Sequence, residues 1–240
     1  MNLKSLAVIA ALVAAGPASA ITAFASFIPA NSTPNIAYTG APAGAGTLTS
    51  AGAPVTFRFL DDSGMGGTDF GATLGLNIVT TNGSVVAGGT LGVLPVSSGT
   101  IRFTALGPIT FNGATGTNLL TAVFSGGFVT GQIGGSTASY ANSEPPRTVT
   151  FTSDFLDFSQ TTARDLSLAI NAINPLIDAN AIFGGIADFT GTVSGNFGAE
   201  GVIGSPGAVP EPGSWLLMIA GFGFVGASLR RRNATRVVTA

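Results

Sequence analysis

Hydrophobic and polar residues alternate along several segments in the middle of the chain. A period of two places one side of a segment in the interior and the other in solvent, which predicts half-buried β-strands. The clearest cases are Val55-Phe57-Phe59, Leu74-Leu76-Ile78, Ile101-Phe103-Ala105 and Val149-Phe151. Residues 165–173 fit a strand or a helix, because Leu166 and Ile170 share a face in both; the neighbouring strands favour a strand.

Glycine-rich turns separate these segments. Asn82-Gly83 is a strong signal for a two-residue hairpin, and paired glycines recur at short intervals along the chain. Short strands with frequent turns are typical of antiparallel sandwiches and barrels. The pattern therefore predicts a mostly β protein, with a single antiparallel β-sandwich-like domain over residues 21–200 and a flexible spacer over residues 201–209.

Composition changes this picture in two ways. The 240-residue chain has no cysteine, so the domain must be held together by its hydrophobic core and not by disulfides. Ten acidic and four basic residues lie between residues 21 and 209, a net charge of −6. Binding to a phosphate backbone requires clustered Lys and Arg, so we do not expect the domain to bind nucleic acid.

The first twenty residues have the layout of a secretory signal peptide. Lys4 precedes an apolar stretch at residues 6–15, and Ala18 and Ala20 form a small-residue cleavage signature. We therefore expect the general secretion machinery to export the chain and the signal peptide to be cut after Ala20.

The C-terminal region has three parts in a fixed order. Pro210, Glu211 and Pro212 come first, Trp215 begins an uncharged run over residues 215–229, and the cluster Arg230-Arg231-Arg232 follows. A helix of that run is about 22 Å long, somewhat short of a ~30 Å hydrocarbon core. The uncharged run and the arginines after it together predict a transmembrane helix at residues 215–229, with the arginines on the cytoplasmic side of the membrane.

Residues 210–233 closely resemble the PEP-CTERM sorting signal in its PEPxxWA form, except that Leu216 stands where Ala is usual. The resemblance implies an exported protein of a Gram-negative bacterium, processed near Pro-Glu-Pro by an exosortase, a membrane transpeptidase with a catalytic cysteine. It also implies delivery to the cell surface or the extracellular polymer matrix, with a transient or permanent inner-membrane anchor. The same segment is also labelled an ice-binding protein C-terminal domain, which does not establish ice binding.

Candidate chemistry is limited because the chain also lacks histidine. Without His and Cys, the usual nucleophilic triads and zinc sites are excluded. A carboxylate pair remains, and Asp154 and Asp157 are its best members, as in glycoside hydrolysis. On an extended strand their spacing places them on opposite faces, so we expect ordinary aspartates at a strand end and no enzymatic activity.

Two further patterns suggest binding sites. Asp61, Asp62 and Asp69 lie in a glycine-rich segment and could supply oxygen ligands to Ca²⁺; the alternative is an acidic hairpin loop with no cofactor. Thr148 and Thr150 belong to a T-x-T-x-T row of a kind found on ice-binding surfaces, but a single row also suits any exposed strand face.

These observations favour a structural or adhesive protein of the cell surface or extracellular matrix, with exopolysaccharide as a possible partner. A Ca²⁺-dependent glycan-binding module is the alternative hypothesis. A carboxylate-based glycan hydrolase is the third.

Overall fold

The computed structural model describes residues 21–41, 45–60, 66–81, 85–87, 91–111, 113–180, 185–201 and 203–204. The predicted signal peptide, the Asn82-Gly83 hairpin and the sorting segment with its predicted transmembrane helix lie outside these residues. In the described part no helix occurs that could cross a membrane.

Fourteen strands make up the secondary structure of the described residues, and this confirms the prediction of a mostly β, antiparallel protein. Residues 165–173 lie in a strand, as predicted. In chain order the strands are β1 (Thr22–Pro29), β2 (Ile36–Gly40), β3 (Gly46–Phe59), β4 (Asp69–Thr80), β5 (Val85–Ala87), β6 (Leu91–Phe111), β7 (Ala114–Ser125), β8 (Phe128–Gln132), β9 (Ala138–Glu144), β10 (Thr148–Thr152), β11 (Thr161–Asn174), β12 (Ala179–Asn180), β13 (Gly185–Ile186) and β14 (Phe189–Gly201).

Hydrogen bonding joins twelve of these strands into one sheet, where the sandwich prediction expects two; β12 and β13 pair separately. Eight strands form a closed ring in the order β14-β1-β3-β4-β6-β8-β9-β11, with β11 pairing again with β14. The length of β6 explains the difference, because its first part pairs with β8 and its second part with β7. The strand β6 therefore joins the β8 group of strands to the β7 group, which a sandwich would keep in separate sheets.

The inward positions of the ring form an aromatic core. Phe103 lies near its centre, with ring centroids 4.7 Å from Phe27, 4.8 Å from Phe57 and 5.6 Å from Phe197. All four side chains are buried. Aromatic side chains bury large apolar areas, so this cluster contributes strongly to the stability of a domain without disulfides.

The buried side chains of Tyr140 and Asn142 are tied to the backbone of a turn. The Tyr140 hydroxyl donates a hydrogen bond to the carbonyl of Gly126 (2.8 Å) and accepts one from Asn142 Nδ2 (2.9 Å). Burial raises the pKa of Tyr140 to about 12, because the phenolate would lose its hydration. These bonds fix the turn between β7 and β8.

The predicted spacer begins with paired backbone. Gly201 is opposite Thr161 at the end of β14, and Gly204 exchanges two backbone hydrogen bonds with Asp157, of 2.8 and 3.0 Å. The hydrogen-bonded structure therefore extends into the first residues of the segment that the sequence predicts to be a flexible linker.

Candidate functional sites

Asp69, the described member of the predicted calcium site, forms an ion pair on the outer surface. It begins β4, opposite Arg58 near the end of β3. Arg58 Nε donates to Asp69 Oδ1 (2.5 Å) and Arg58 Nη2 donates to Asp69 Oδ2 (2.8 Å). These hydrogen bonds lower the pKa of Asp69 and raise that of Arg58. Both carboxylate oxygens of Asp69 thus already have a cationic partner.

The calcium hypothesis stays a prediction. Asp61 and Asp62 lie outside the described residues, and within the described ones no three acidic side chains come together as a metal-binding group. A Ca²⁺ ion using Asp69 would have to compete with Arg58 for the same oxygens.

Asp154, half of the proposed carboxylate pair, holds the backbone of a neighbouring strand. Its Oδ2 accepts hydrogen bonds from the backbone amides of Thr117 (2.9 Å) and Asn118 (2.8 Å) in β7. Its own amide donates to the carbonyl of Asn118 (3.0 Å). The carboxylate fits against Gly116, where any Cβ would collide with it. Asp154 therefore satisfies amides at an irregular point of β7, where the register with β6 shifts.

Asp157 has a different and more local role. Its carboxylate accepts hydrogen bonds from the amide (2.9 Å) and hydroxyl (3.0 Å) of Ser159. It borders a shallow groove of about 340 Å³ beside β10, together with Phe151 and Arg164. Arg164 is already engaged, since it donates to Glu144 (3.1 Å) and to the carbonyl of Phe158 (3.2 Å).

The two aspartates thus do not share a site. Asp154 is not among the residues that line the groove beside β10, and each carboxylate accepts hydrogen bonds from a different segment. Glycoside hydrolysis requires two carboxyl groups facing one glycosidic bond. This arrangement gives no support to the hydrolase hypothesis, and the absence of enzymatic activity stays a prediction.

One outer face of the sheet is rich in hydroxyl groups. The T-x-T-x-T row of β10 is continued across β7, β6, β4 and β3, because residues in register on neighbouring strands share a face. We call this the hydroxyl face, and it includes Thr148, Thr150, Thr152, Thr121, Ser125, Ser98, Thr100, Asn77 and Thr49. Sequence analysis could identify the row on β10 but not its neighbours.

A second outer surface, centred on β11, β14 and β1, carries a groove that no sequence pattern indicates. One cross-strand row runs through seven strands from β8 to β4, and its members are Phe128, Ala141, Ser167, Asn196, Ser26, Arg58 and Asp69. A depression of about 370 Å³ lies along it between Ser167 and Ile28, and a second of about 160 Å³ extends from Ile28 to the Arg58–Asp69 pair. We call the row and its two depressions the transverse groove. Its residues are distant in sequence and meet only through strand register, so no local pattern indicates them.

Comparison with known proteins identifies only the C-terminal segment. Residues 208–232 match the family model of the PEP-CTERM protein-sorting motif. No curated protein and no solved structure matches the chain. The matched range includes Pro210, Glu211, Pro212, Trp215 and the cluster at residues 230–232, and it confirms the resemblance inferred from the sequence. The chain therefore carries a PEP-CTERM sorting signal, which indicates an exported, cell-envelope-associated protein that is sorted by an exosortase.

Proposed function

We propose that this chain is a structural or adhesive protein of the cell surface or extracellular polymer matrix, delivered there after exosortase cleavage near Pro-Glu-Pro. The observation that carries the proposal is the sorting motif at residues 208–232. It follows a compact β unit to which all the described residues belong. Such a signal accounts for delivery, and the β unit is the part that is delivered.

The surface of the β unit supports a role in contact more than in catalysis. Its outer faces present mainly hydroxyl and amide groups, with few charges. The two aspartates suited to general acid–base chemistry are engaged separately in holding loops and strands. Broad neutral polar faces suit an extended matrix polymer, because many weak hydrogen bonds can add up over a long contact.

Mass spectrometry of the mature protein tests the delivery step. We expect the form found outside the inner membrane to lack residues 215–229, and a variant with Pro210, Glu211 and Pro212 replaced by Ala to retain them and to stay in the membrane fraction. Pro206→Ala, just outside the matched motif, is the control and should be processed normally. An intact C-terminal segment in the mature surface form of the native chain would refute cleavage.

A further inference from the structure

We propose that the transverse groove binds a linear, uncharged polysaccharide that lies across the strands, and that it does so without calcium. This deepens the proposed function by naming the matrix polymer's chemical class, and it rests on that function for its biological setting. Four features of the groove support it: free hydrogen-bonding groups, charge balance, apolar contact surface and length.

The first feature is that the polar side chains of the groove are free. Within the described part of the chain, the side chains of Ser26, Ser167 and Asn196 are not hydrogen-bonded to any other protein group. On the hydroxyl face, engaged side chains are mixed with free ones such as Asn77 and Thr100. There, Ser125 and Thr148 bond to each other (2.6 Å), and Thr150 donates to the carbonyl of Val123 (3.2 Å).

The contrast matters because a hydroxyl already bonded to its own protein offers less to a ligand. The groove presents the donor and acceptor groups of two serines and an asparagine amide at successive strands of one row. A polymer that carries hydroxyl groups at regular intervals can both donate to and accept from these side chains. The groove therefore offers such a ligand three free side chains in succession, whereas the row through Thr150 on the hydroxyl face is interrupted by Val123.

The second feature is charge. The row itself contains one cation, Arg58, whose charge is balanced by Asp69 at 2.5 Å, and a second cation, Arg147, lies over Phe128 at the far end of the row. Asp165 lies on β11 two residues before Ser167 and on the same outer side of the sheet. Its side chain is partly buried. Its carboxylate would repel a polyanion that lies in the groove. Neutral hydroxyl groups, in contrast, can hydrogen-bond to the exposed edges of the Arg58–Asp69 pair, so an uncharged polymer is favoured.

The third feature is the apolar surface that accompanies the polar groups. Ile28 is 58% exposed and stands where the two depressions meet. Phe128 is 47% exposed at the other end of the row, with the guanidinium of Arg147 at 5.7 Å from its ring centroid. Binding sites for polyhydroxylated ligands combine such apolar contacts with a few placed polar groups. The faces of sugar rings supply the matching apolar CH surface.

The fourth feature is length. From Ser167 to Asp69 the two depressions cross four gaps between strands, about 19 Å at about 4.8 Å per gap, and the row continues across two more gaps to Phe128. A single sugar would occupy only a fraction of that distance. The shape therefore fits a chain of several sugar rings, running perpendicular to the strands.

The test measures binding of the full-length chain in detergent to two linear uncharged probes, mixed-linkage β-glucan and glucomannan, in the presence of EDTA and, in parallel, of Ca²⁺. Alginate serves as the anionic comparison. Asn196→Ala removes a free amide from the groove, and Asn77→Ala removes one from the hydroxyl face as a matched control. Ser167→Gln and Thr100→Gln form a second pair, which adds bulk on each face. We expect the two groove variants to bind about tenfold more weakly and the two controls to bind like the native chain.

Thermal unfolding followed by circular dichroism will show whether all four variants fold. Absence of binding to both neutral probes would overturn the proposal. So would tighter binding to alginate, loss of binding in EDTA, or equal weakening by the groove variants and their controls. These outcomes leave delivery by exosortase intact. Conversely, an unprocessed and unexported chain would refute the proposed function while binding in detergent could still be measured.

Discussion

Asp154 is the most informative residue to change, because sequence and structure assign it different roles. As a catalytic or solvated acid, it could be removed without loss of stability. In the structure its Oδ2 accepts hydrogen bonds from two backbone amides of β7, at 2.8 and 2.9 Å. Asp154→Ala leaves both amides without a protein acceptor. Each unsatisfied buried donor costs about 1–3 kcal/mol, and since these amides are only partly buried we expect a total loss of about 2–3 kcal/mol.

Near-UV circular dichroism can follow the unfolding, since Tyr38 and Tyr140 are both buried in the β unit whereas the single tryptophan, Trp215, lies in the sorting segment. At about 2–4 °C per kcal/mol for a domain of this size, the expected loss lowers Tm by about 4–12 °C. Asp154→Asn keeps an acceptor oxygen in place and loses only its charge, so its Tm should lie between those of the native chain and Asp154→Ala.

Two further variants make the reasoning refutable. Asp157→Ala is the matched control, because its carboxylate holds only Ser159 in an exposed turn; we expect a change within about 0.5 kcal/mol. Gly116→Ala adds a Cβ that collides with the Asp154 carboxylate, so its effect should add less than fully to that of Asp154→Ala. A native-like Tm for Asp154→Ala, or an equal loss for Asp157→Ala, would show that the two hydrogen bonds do not stabilise β7.

Three other predictions follow from the structure. Phe103→Ala should lower the free energy of unfolding by about 3–5 kcal/mol, measured by urea denaturation, and a loss below 1 kcal/mol would contradict the central position of this ring. Burial raises the pKa of Tyr38, and it raises the pKa of Tyr140 to about 12. The stabilisation from Tyr140 is therefore complete below its ordinary pKa of 10.0 and is lost as the pH rises through about 12, and tyrosinate absorbance that appears at the ordinary value in the folded protein would disprove this. Calcium should leave Tm unchanged because Arg58 bonds both oxygens of Asp69, and a calcium-dependent rise in Tm would instead favour the metal-site hypothesis.

The strands themselves could be predicted, because their signal is local. All four alternating segments lie in strands, and their inward residues are buried, among them Phe57 in β3, Leu74 in β4 and Ile101 in β6. A side-chain period of two is determined by the backbone of one strand and does not depend on its partners. For the same reason, residues 165–173 could be assigned once their neighbours were recognised as strands.

Pairing and sites depend on distant residues, and the sequence does not encode them locally. The amides held by Asp154 are 36 and 37 positions away in the chain. Asn196, Ser26 and Arg58 come from three different strands and meet only because β1 lies between β14 and β3. The closure of the sheet likewise depends on β6 being long enough to pair on both sides of the structure, which its hydrophobic pattern does not reveal.

The position of β1 also has a consequence for the order of events during export. This strand follows the predicted signal peptide directly, yet one of its two partners is β14, the last of the described strands, which precedes the sorting motif in the chain. Its pairing with β14 must wait until almost the whole β unit has been translocated, because Phe27 is opposite Gly195. Contacts between such distant residues also form slowly. We therefore expect a chain that is exported from its N-terminus to complete its fold only as the sorting motif arrives, so that folding and sorting become linked in time.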